Sequence, residues 1–358
     1  MKKYVVGSLA LSLILILMLL PAGASVARTQ PPPAPAAEPS LSSGSLTARV
    51  RTHPFGISFS CSRKTLLDTF CAPEGLYAPL AFSIDPVPPW GGQPDPPPPG
   101  SWQRATDVLS WRRSGGILYL DVATDDPSGR TLSVVVAPQT NGSITVRAEP
   151  GAGTGAPVTT MAAAFATGDD EHYMGFGERE NAVDQAGRTV ESWAVEGAFN
   201  PVEVPFVPLA AEPWAISGRD DATYFPMPWF VSSRGYGFLL ENTERSLFRL
   251  GTDRTDAWAV TADAPRIGYR VFAGPKPLDV VRRFSAATGR QPAPAAPWLF
   301  GPWWQPTGPD RDSLPAHRST IATRSSTTAL PGFTGPPPGS RWSRSSGRDI
   351  RVRPPTAR

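Results

Sequence analysis

The sequence predicts an all-β sandwich. Three observations carry that expectation: short runs alternating apolar with polar residues recur from Leu46 to Ala273, turn-forming Gly, Pro and Asp separate them at roughly regular spacing, and helical periodicity is nearly absent before residue 275. LTARVRT and FGISFS alternate in this way, and ILYLDVAT does so again. LSVVVAPQTNGSITVRAE then sets Asn141-Gly142 between two strand-like runs, which predicts a hairpin closed by a type I′ turn. Asn141-Gly142-Ser143 is formally a glycosylation sequon, but the turn accounts for these residues without it. Residues 86–100, PVPPWGGQPDPPPPG, read as a long loop inserted in the sandwich. One helix is expected, in PLDVVRRFSAATG: Pro277 suits a first turn, Leu278, Val281 and Phe284 form an apolar stripe, and Gly289 stops it.

The ends differ from this body. Residues 1–27 combine the cationic MKK, an apolar run and the small-residue stretch AGASVA, the pattern of a secretory signal peptide cleaved after Ala24 or Ala27. The alternative is an uncleaved membrane anchor, since the apolar run approaches spanning length. Once cleaved, the chain is expected in an extracytoplasmic compartment, without stable membrane insertion. Residues 28–45, rich in Pro, Ala and Ser, are expected to be a linker, with order starting near Leu46.

Export permits disulfides. The only two cysteines, Cys61 and Cys71, stand ten positions apart in one hairpin or loop and are expected to pair. Closing so short a loop would contribute about 3 kcal/mol at most in the chain-entropy model.

The formal charge of +3 is unevenly spread: residues 306–358 hold nine Arg against three Asp, and the leader adds Lys2 and Lys3, so the body is mildly acidic. With no basic stripe, nucleic acid is not expected as a partner. No clustered ligands point to a metal, and no motif calls for a cofactor. The three histidines are scattered: His53 precedes a strand, His172 lies in a turn and His317 in the tail. A Ser/His/Asp triad is not expected.

The most informative run is FATGDDEHYMGFGERENAVDQAGR, residues 165–188. It holds Gly175, Gly177, Glu178 and Arg179, then Asp184, Gln185 and Arg188. Alternate glycines indicate close backbone packing or positive φ. It is not a phosphate loop, because no third glycine opens a helix and no Lys-Ser/Thr follows.

Here the sequence resembles glycoside hydrolase family 31, the α-glucosidase and α-xylosidase family, whose N-terminal β-sandwich carries a similar G-x-G-E-R-x(4)-D-Q-x-G-R stretch. HPFGISFS, YFPMPWFVSSRGYGFLLEN at 224–242 and VFAGPKPLDVVRRFSAATGRQPAPAAPWLFGPW at 271–303 follow in the order and spacing of that family. The resemblance covers roughly residues 46–304. It implies a galactose-mutarotase-like sandwich over 46–274, a connecting helix and linker over 275–296, and the first strand of a catalytic (β/α)₈ barrel at 297–305.

A barrel of that kind takes about 250 residues, and 62 run from Pro297 to the end. Residues 306–358 contain neither Lys nor Glu and show no strand–helix repeat, so they are expected to be a disordered basic tail. The abrupt compositional change fits a shifted reading frame; a natural basic tail is the alternative.

Retaining glycosidases use two carboxyl groups about 5 to 5.5 Å apart. The resemblance implies two aspartates on later barrel strands, the nucleophile within a W-x-D-x-N-E-like motif that is absent from these residues. No catalytic residue is therefore assigned. Asp169, Asp170, Glu171, Glu178, Asp184, Asp220 and Asp221 are the other carboxylates to weigh, but adjacent Asp pairs in a sandwich read as solvated turns and none of these is expected to be a glycosidic nucleophile. Glu178 and Arg179 are expected to form a buried or half-buried carboxylate–guanidinium brace, with sugar contact as the alternative, and Asp184, Gln185 and Arg188 to join that network. In an intact enzyme Trp303 and Trp304 would line the sugar site by stacking on carbohydrate, the expected partner. The loop 194–224, edged by Trp193 and Trp214, would reach over the rim. The sequence thus reads as the N-terminal part of a secreted family 31 α-glycosidase, truncated before its catalytic aspartates. The alternative is a freestanding carbohydrate-binding sandwich.

Overall fold

The structure, a computed structural model, describes residues 38–87, 101–194 and 223–294 and two strands at 341–344 and 350–353. The leader, most of the loop 86–100, Trp214, and Trp303 and Trp304 with the whole stretch 297–305 lie outside the described residues. The chain divides into two units, Met1–Phe284 and Ser285–Arg358.

The first unit is a β-sandwich. One sheet runs β1 (Ser40–Ser43), β2 (Leu46–Thr52), β3 (Phe55–Cys61) and β4 (Lys64–Asp68) in antiparallel order. The other strands are β5 (Ala81–Ser83), β6 (Trp102–Ser114), β7 (Ile117–Thr124), β8 (Leu132–Pro138), β9 (Ile144–Pro150), β10 (Thr160–Ala166), β11 (Tyr173–Gly177) and β12 (Thr189–Ser192). They are followed by β13 (Pro226–Ser232), β14 (Tyr236–Leu240), β15 (Ser246–Leu250), β16 (Ala257–Ala262) and β17 (Ile267–Ala273). These thirteen join in the order β11-β13-β14-β17-β9-β8-β7-β6-β5-β10-β16-β15-β12. The long strand β6 turns this order into two layers. Its start pairs with β5 and the rest with β7, through two register shifts between Ala105 and Ser110. Bulges of this kind bend a strand and raise its twist.

Aromatic side chains from both halves of the order fill the space between. Phe165 on β10 stacks on Trp258 of β16 at 4.5 Å and meets Phe238 of β14 and Tyr269 of β17 edge-on at 5.4 Å each. Phe230 of β13 joins Phe176, Phe238, Phe248 and Trp258. Such offset and T-shaped pairs add to the area burial of the rings. A second, smaller cluster lies outside β10 and β16, where Ala162, Ala164, Ala257 and Ala259 let Leu76, Tyr77 and Trp102 pack close.

The expected strands over LTARVRT, FGISFS, ILYLDVAT and the 132–150 hairpin form where the alternation places them. Several details differ. Order starts earlier than Leu46: β1 lies inside the expected linker, because Leu41 is buried and Ser40–Ser43 add to the edge of β2. The turn at Asn141-Gly142 is not type I′, since only Gly142 has positive φ (77°). A Gly142 N–H to Gln139 C=O bond and the Gln139–Ser143 bond give a three-residue loop ending in a left-handed glycine. Two successive positive φ angles occur instead at Ser62 (50°) and Arg63 (71°), in the tight turn between β3 and β4.

That hairpin corrects the disulfide. Both cysteines are free. Cys61 pairs with Lys64 at the turn, whereas Thr69 N–H already bonds to Ile57 at the other end. Four residues of strand rise, roughly 13 Å, already separate Cys61 from Ile57, and from there Phe70 N–H bonds to Ala164 C=O of β10, carrying the chain out of the hairpin before Cys71.

The expected helix is α1 (Pro277–Thr288). It turns a different face inward: Val280 is buried, while Leu278 and Val281 are exposed. Phe284 stacks on Trp229 of β13 at 4.0 Å and 9°. Gly237 makes room for this contact, since a Cβ there would meet the Trp229 ring and lie 2.7 Å from Val280. Gly289, at φ 99°, follows the helix as expected.

In the second unit, Arg341–Arg344 pairs antiparallel with Ile350–Arg353 as β18 and β19. This differs from the expected disorder of the tail at these two segments, of which I-R-V-R alternates apolar with polar residues.

Candidate functional site

The motif residues gather where the two ends of the strand order meet. β11 begins that order and β12 ends it, and the chain from 178 to 188 connects them. Within β11 both Tyr173 and Phe176 are buried. An odd spacing cannot put two side chains on one face of a regular strand. The register shift between Gly175 and Gly177 resolves this, with positive φ at Gly175 (140°), Phe176 (69°) and Gly177 (84°). The alternate glycines thus serve close packing and positive φ together. A Cβ on Gly175 would lie 2.6 Å from the Trp229 carbonyl oxygen, and one on Gly177 would run into that of Phe225. The bulge turns Phe176 inward to stack on Phe230 and meet Phe248, each at 5.1 Å.

Beyond the bulge, Glu178 N–H donates to Phe225 C=O and Thr223 Oγ1 donates to Glu178 C=O at 2.6 Å. The Glu178 side chain is exposed, and no ion pair joins it to Arg179 among the described residues. The expected carboxylate–guanidinium brace is therefore corrected. Neighbouring residues of extended chain point to opposite sides, and only Arg179 points back. Its Nε donates to Phe176 C=O at 3.1 Å and its terminal nitrogen to Glu191 C=O at 2.6 Å, tying β11 to β12. Glu191 in turn meets Arg245 at 2.5 Å, and Arg245 lies 3.4 Å from Asp263. Burial raises the Asp263 carboxyl, with Arg245 acting against it.

Asp184, Gln185 and Arg188 form a separate arrangement, a strap from β11 to β15. Asp184 Oδ1 accepts from the Tyr173 and Ala186 N–H groups at 3.0 Å each, and Oδ2 lies 2.6 Å from His172 Nδ1. Gln185 is fully buried; its N–H donates to Tyr173 C=O and its amide to Asn181 and Ala182. Gly187 N–H donates to Leu250 C=O, and Leu250 N–H to Arg188 C=O. Arg188 contributes its backbone to this strap, while its side chain is exposed. The hydrogen bond that His172 donates to Asp184, then the Asp184 charge, raises the His172 imidazole above its usual value. Partial burial pushes the Asp184 carboxyl upward, but His172 and the two backbone donors outweigh it and leave it low.

Sequence reasoning missed Glu171. Its side chain is fully buried, accepting from Ser232 Oγ at 2.5 Å, Tyr236 OH at 2.7 Å and Gly168 N–H at 2.8 Å, with Arg234 at 3.6 Å. Burial, then the Glu171 charge, raises the Tyr173 and Tyr236 hydroxyls. In the run DDEH nothing distinguishes Glu171 from its exposed neighbours, because its partners lie 61 and 65 residues away. Satisfied in this way, the carboxylate is a brace between the β10–β11 turn and the β13–β14 hairpin.

The surface around the motif is apolar. Val183, Trp193, Tyr224 and Phe225 are all substantially exposed and flank the strap, β12 and the Gly177 turn. Asp184, Glu171 and Glu191 are engaged with backbone, hydroxyl, histidine or arginine partners, whereas the Glu178 carboxylate is exposed.

Residues 134–248 match the family described as "Glycosyl hydrolase 31 N-terminal galactose mutarotase-like domain". An alpha-xylosidase of Lactiplantibacillus pentosus is 28% identical over 146 residues, 41% of this chain and 16% of that protein. Alpha-glucosidase 2 of Bacillus thermoamyloliquefaciens is 31% identical over 134 residues, 37% of this chain and 15% of that protein. The matched stretch thus spans about one-sixth of these relatives' length. Among solved structures, an uncharacterized protein of Listeria monocytogenes shares the fold, with TM-score 0.51 and 15% identity over 81% of this chain and 31% of that one.

Proposed function

We propose, for a chain whose residues 134–248 match the glycosyl hydrolase 31 N-terminal galactose mutarotase-like domain, that it is the sandwich portion of an exported α-glycosidase and performs no hydrolysis by itself. The observation that carries the reading is the union of that match with the state of the motif. Its polar groups hold strands together: Arg179 ties β11 to β12, and Asp184 ties the strap to β11. In the intact enzyme the two catalytic carboxyl groups would come from a barrel beyond the sandwich, and Val183, Trp193, Tyr224 and Phe225 would face it. The leader pattern of residues 1–27 supports export, and the composition of residues 306–358 supports a change of reading frame near Gln305.

Assay of the full chain on aryl α-glucosides and α-xylosides is expected to give the buffer rate. Hydrolysis above it that survives removal of contaminating enzymes would sink the proposal. Translating the DNA downstream of the Gln305 codon in the other two frames supplies a second test: a barrel with a W-x-D-x-N-E-like motif is expected there, and stops alone would favour a freestanding carbohydrate-binding module.

A further inference from the structure

We infer that the tip between β8 and β9 is a self-modification site, at which Asn141 closes on the Gly142 nitrogen, loses its side-chain amide as ammonia and becomes aspartate or isoaspartate. In Asn-Gly the following residue puts no Cβ in the way of that ring closure. The groups around the pair are placed as the chemistry needs. Ser143 N–H donates to the Asn141 side chain at 3.2 Å and Ser143 Oγ at 2.5 Å. A backbone N–H can only donate, so the atom it faces is Oδ1. Nδ2, the leaving group, is turned away and carries no hydrogen bond among the described residues.

The reaction needs only water. Gly142 gives its N–H proton to solvent base, and its nitrogen attacks Asn141 Cγ; the N–Cγ bond forms while the carbonyl π pair moves onto Oδ1. The two Ser143 donors meet the charge that develops there, as an oxyanion hole does. The pair then returns, the Cγ–Nδ2 bond breaks, and Nδ2 takes a proton and departs as ammonia. Water opens the resulting five-membered imide at either carbonyl, so one water is consumed and one ammonia released with no change of oxidation state. Arg283 of α1 adds a cation beside the nucleophile, since a Cβ on Gly142 would lie 3.6 Å from its Nη1. A positive charge so near favours loss of the amide proton. One contact opposes the step, the bond from Gly142 N–H to Gln139 C=O. At 3.2 Å it is long, and Ser43 Oγ holds the same carbonyl at 2.5 Å.

The other two described asparagines are arranged against the reaction. Asn181 Oδ1 accepts from Ala182 N–H at 2.9 Å, so the nitrogen that would attack faces the oxygen instead of the carbon. Asn242 Nδ2 is held by Glu244 and the Arg266 carbonyl, and β-branched Thr243 follows it. At residue 141 the product carries a new negative charge next to the Gly142–Arg283 contact. Isoaspartate also lengthens the backbone by a methylene in the loop that Ser43 ties to β1.

Peptide mapping of the full chain aged in heavy-oxygen water at mildly alkaline pH reads the site. Solvent oxygen should enter at residue 141, as a mixture of aspartate and isoaspartate, and not at 181 or 242. Ser143→Ala should slow the folded chain about tenfold, less than a lost donor costs in a water-excluded oxyanion hole. In urea the same variant should match wild type, because the arrangement is then gone. Thermal melting checks that it folds, and Arg283→Gln, a second variant that leaves Ser143 in place, should slow the reaction about threefold through one removed charge. An Asn141 amide that survives in the folded chain but is lost in urea would overturn the inference. So would a folded Ser143→Ala or Arg283→Gln chain as fast as wild type, or equal reaction at Asn181 or Asn242.

Discussion

β11 and β6 both leave a strand edge to be managed, and the protein treats them in opposite ways. At β11 the strap 181–188 lies on the edge, joined by the Met174–Asp184 bridge and the Gln185–Tyr173 bond. At β6 no backbone hydrogen bond from the described residues covers the edge beyond Ala105, and bulges and arginines occupy it instead. β11 is also pressed against β13 on its other side, where a Cβ on Gly175 or Gly177 would meet the Trp229 or Phe225 carbonyl oxygen, and positive φ runs through Gly175, Phe176 and Gly177 at the bulge. β6 contains no glycine. The difference shows why the motif is legible in the sequence at β11, where glycines and a carboxylate are obligatory, and why β6 carries no motif.

The largest expected effect breaks this comparison with one substitution at two glycines of nearly equal φ. Gly177 (84°) has the Phe225 carbonyl, Pro226 and Met227 backbone within the space of a Cβ, whereas Gly116 (80°), at the tip between β6 and β7, has nothing within 4 Å. Gly116→Ala is expected to cost about 1 kcal/mol, the strain of a left-handed alanine. Gly177→Ala adds a clash that only backbone movement relieves, and should cost about 3 kcal/mol or more. Denaturant unfolding of both variants checks this. Equal losses would mean that β11 is not held against β13 as tightly as the geometry indicates.

How much was legible follows from the same contrast. Local patterns placed β2, β3, β7, β8 and β9, because each needs only alternation and a turn. The motif glycines were legible because backbone demands glycine there. What the sequence could not show were pairings set by tertiary register: the free cysteines, the second carried out of the hairpin that holds the first, the burial of Val280 rather than Val281, and Glu171 with partners more than sixty residues away. The Glu178–Arg179 pair failed for a local reason, since adjacent residues in extended chain diverge.

A smaller effect sharpens the contrast at the strap through pH. The raised His172 contributes stability that is fully present below its unfolded value near about 6.5 and is lost as pH rises through the raised folded value. The lowered Asp184 contributes stability present above its unfolded value near about 3.9 and lost as pH falls through the lower folded one. The pair therefore stabilises most between about pH 4 and 6.5. Asp184→Asn keeps an acceptor for the Tyr173 and Ala186 N–H groups but removes the charge facing His172. The melting-temperature gap between wild type and this variant should be widest in that window, by no more than a few degrees given the exposure of both groups, and should narrow at pH 8. A gap constant from pH 5 to 8 would show that His172 does not hold the strap.

The smallest expected effect is at Glu178, and its smallness is the point. The carboxylate is exposed, with its backbone, not its side chain, bonded to Phe225 and Thr223. Glu178→Gln should therefore change the stability of the chain by less than about 0.5 kcal/mol, the range of surface substitutions free of special contacts. Arg179→Lys, one position on, replaces a fork that reaches two carbonyls, Phe176 and Glu191, with a single ammonium, and its loss should exceed that of Glu178→Gln in the same melt. If Glu178→Gln proves the more damaging, its carboxylate must brace a part of the chain outside the described residues. If it is silent in this chain yet lowers kcat/KM in a full-length enzyme of the family, the exposed side chain belongs to the surface that meets the barrel or its substrate, and Arg179 alone closes the sandwich between β11 and β12.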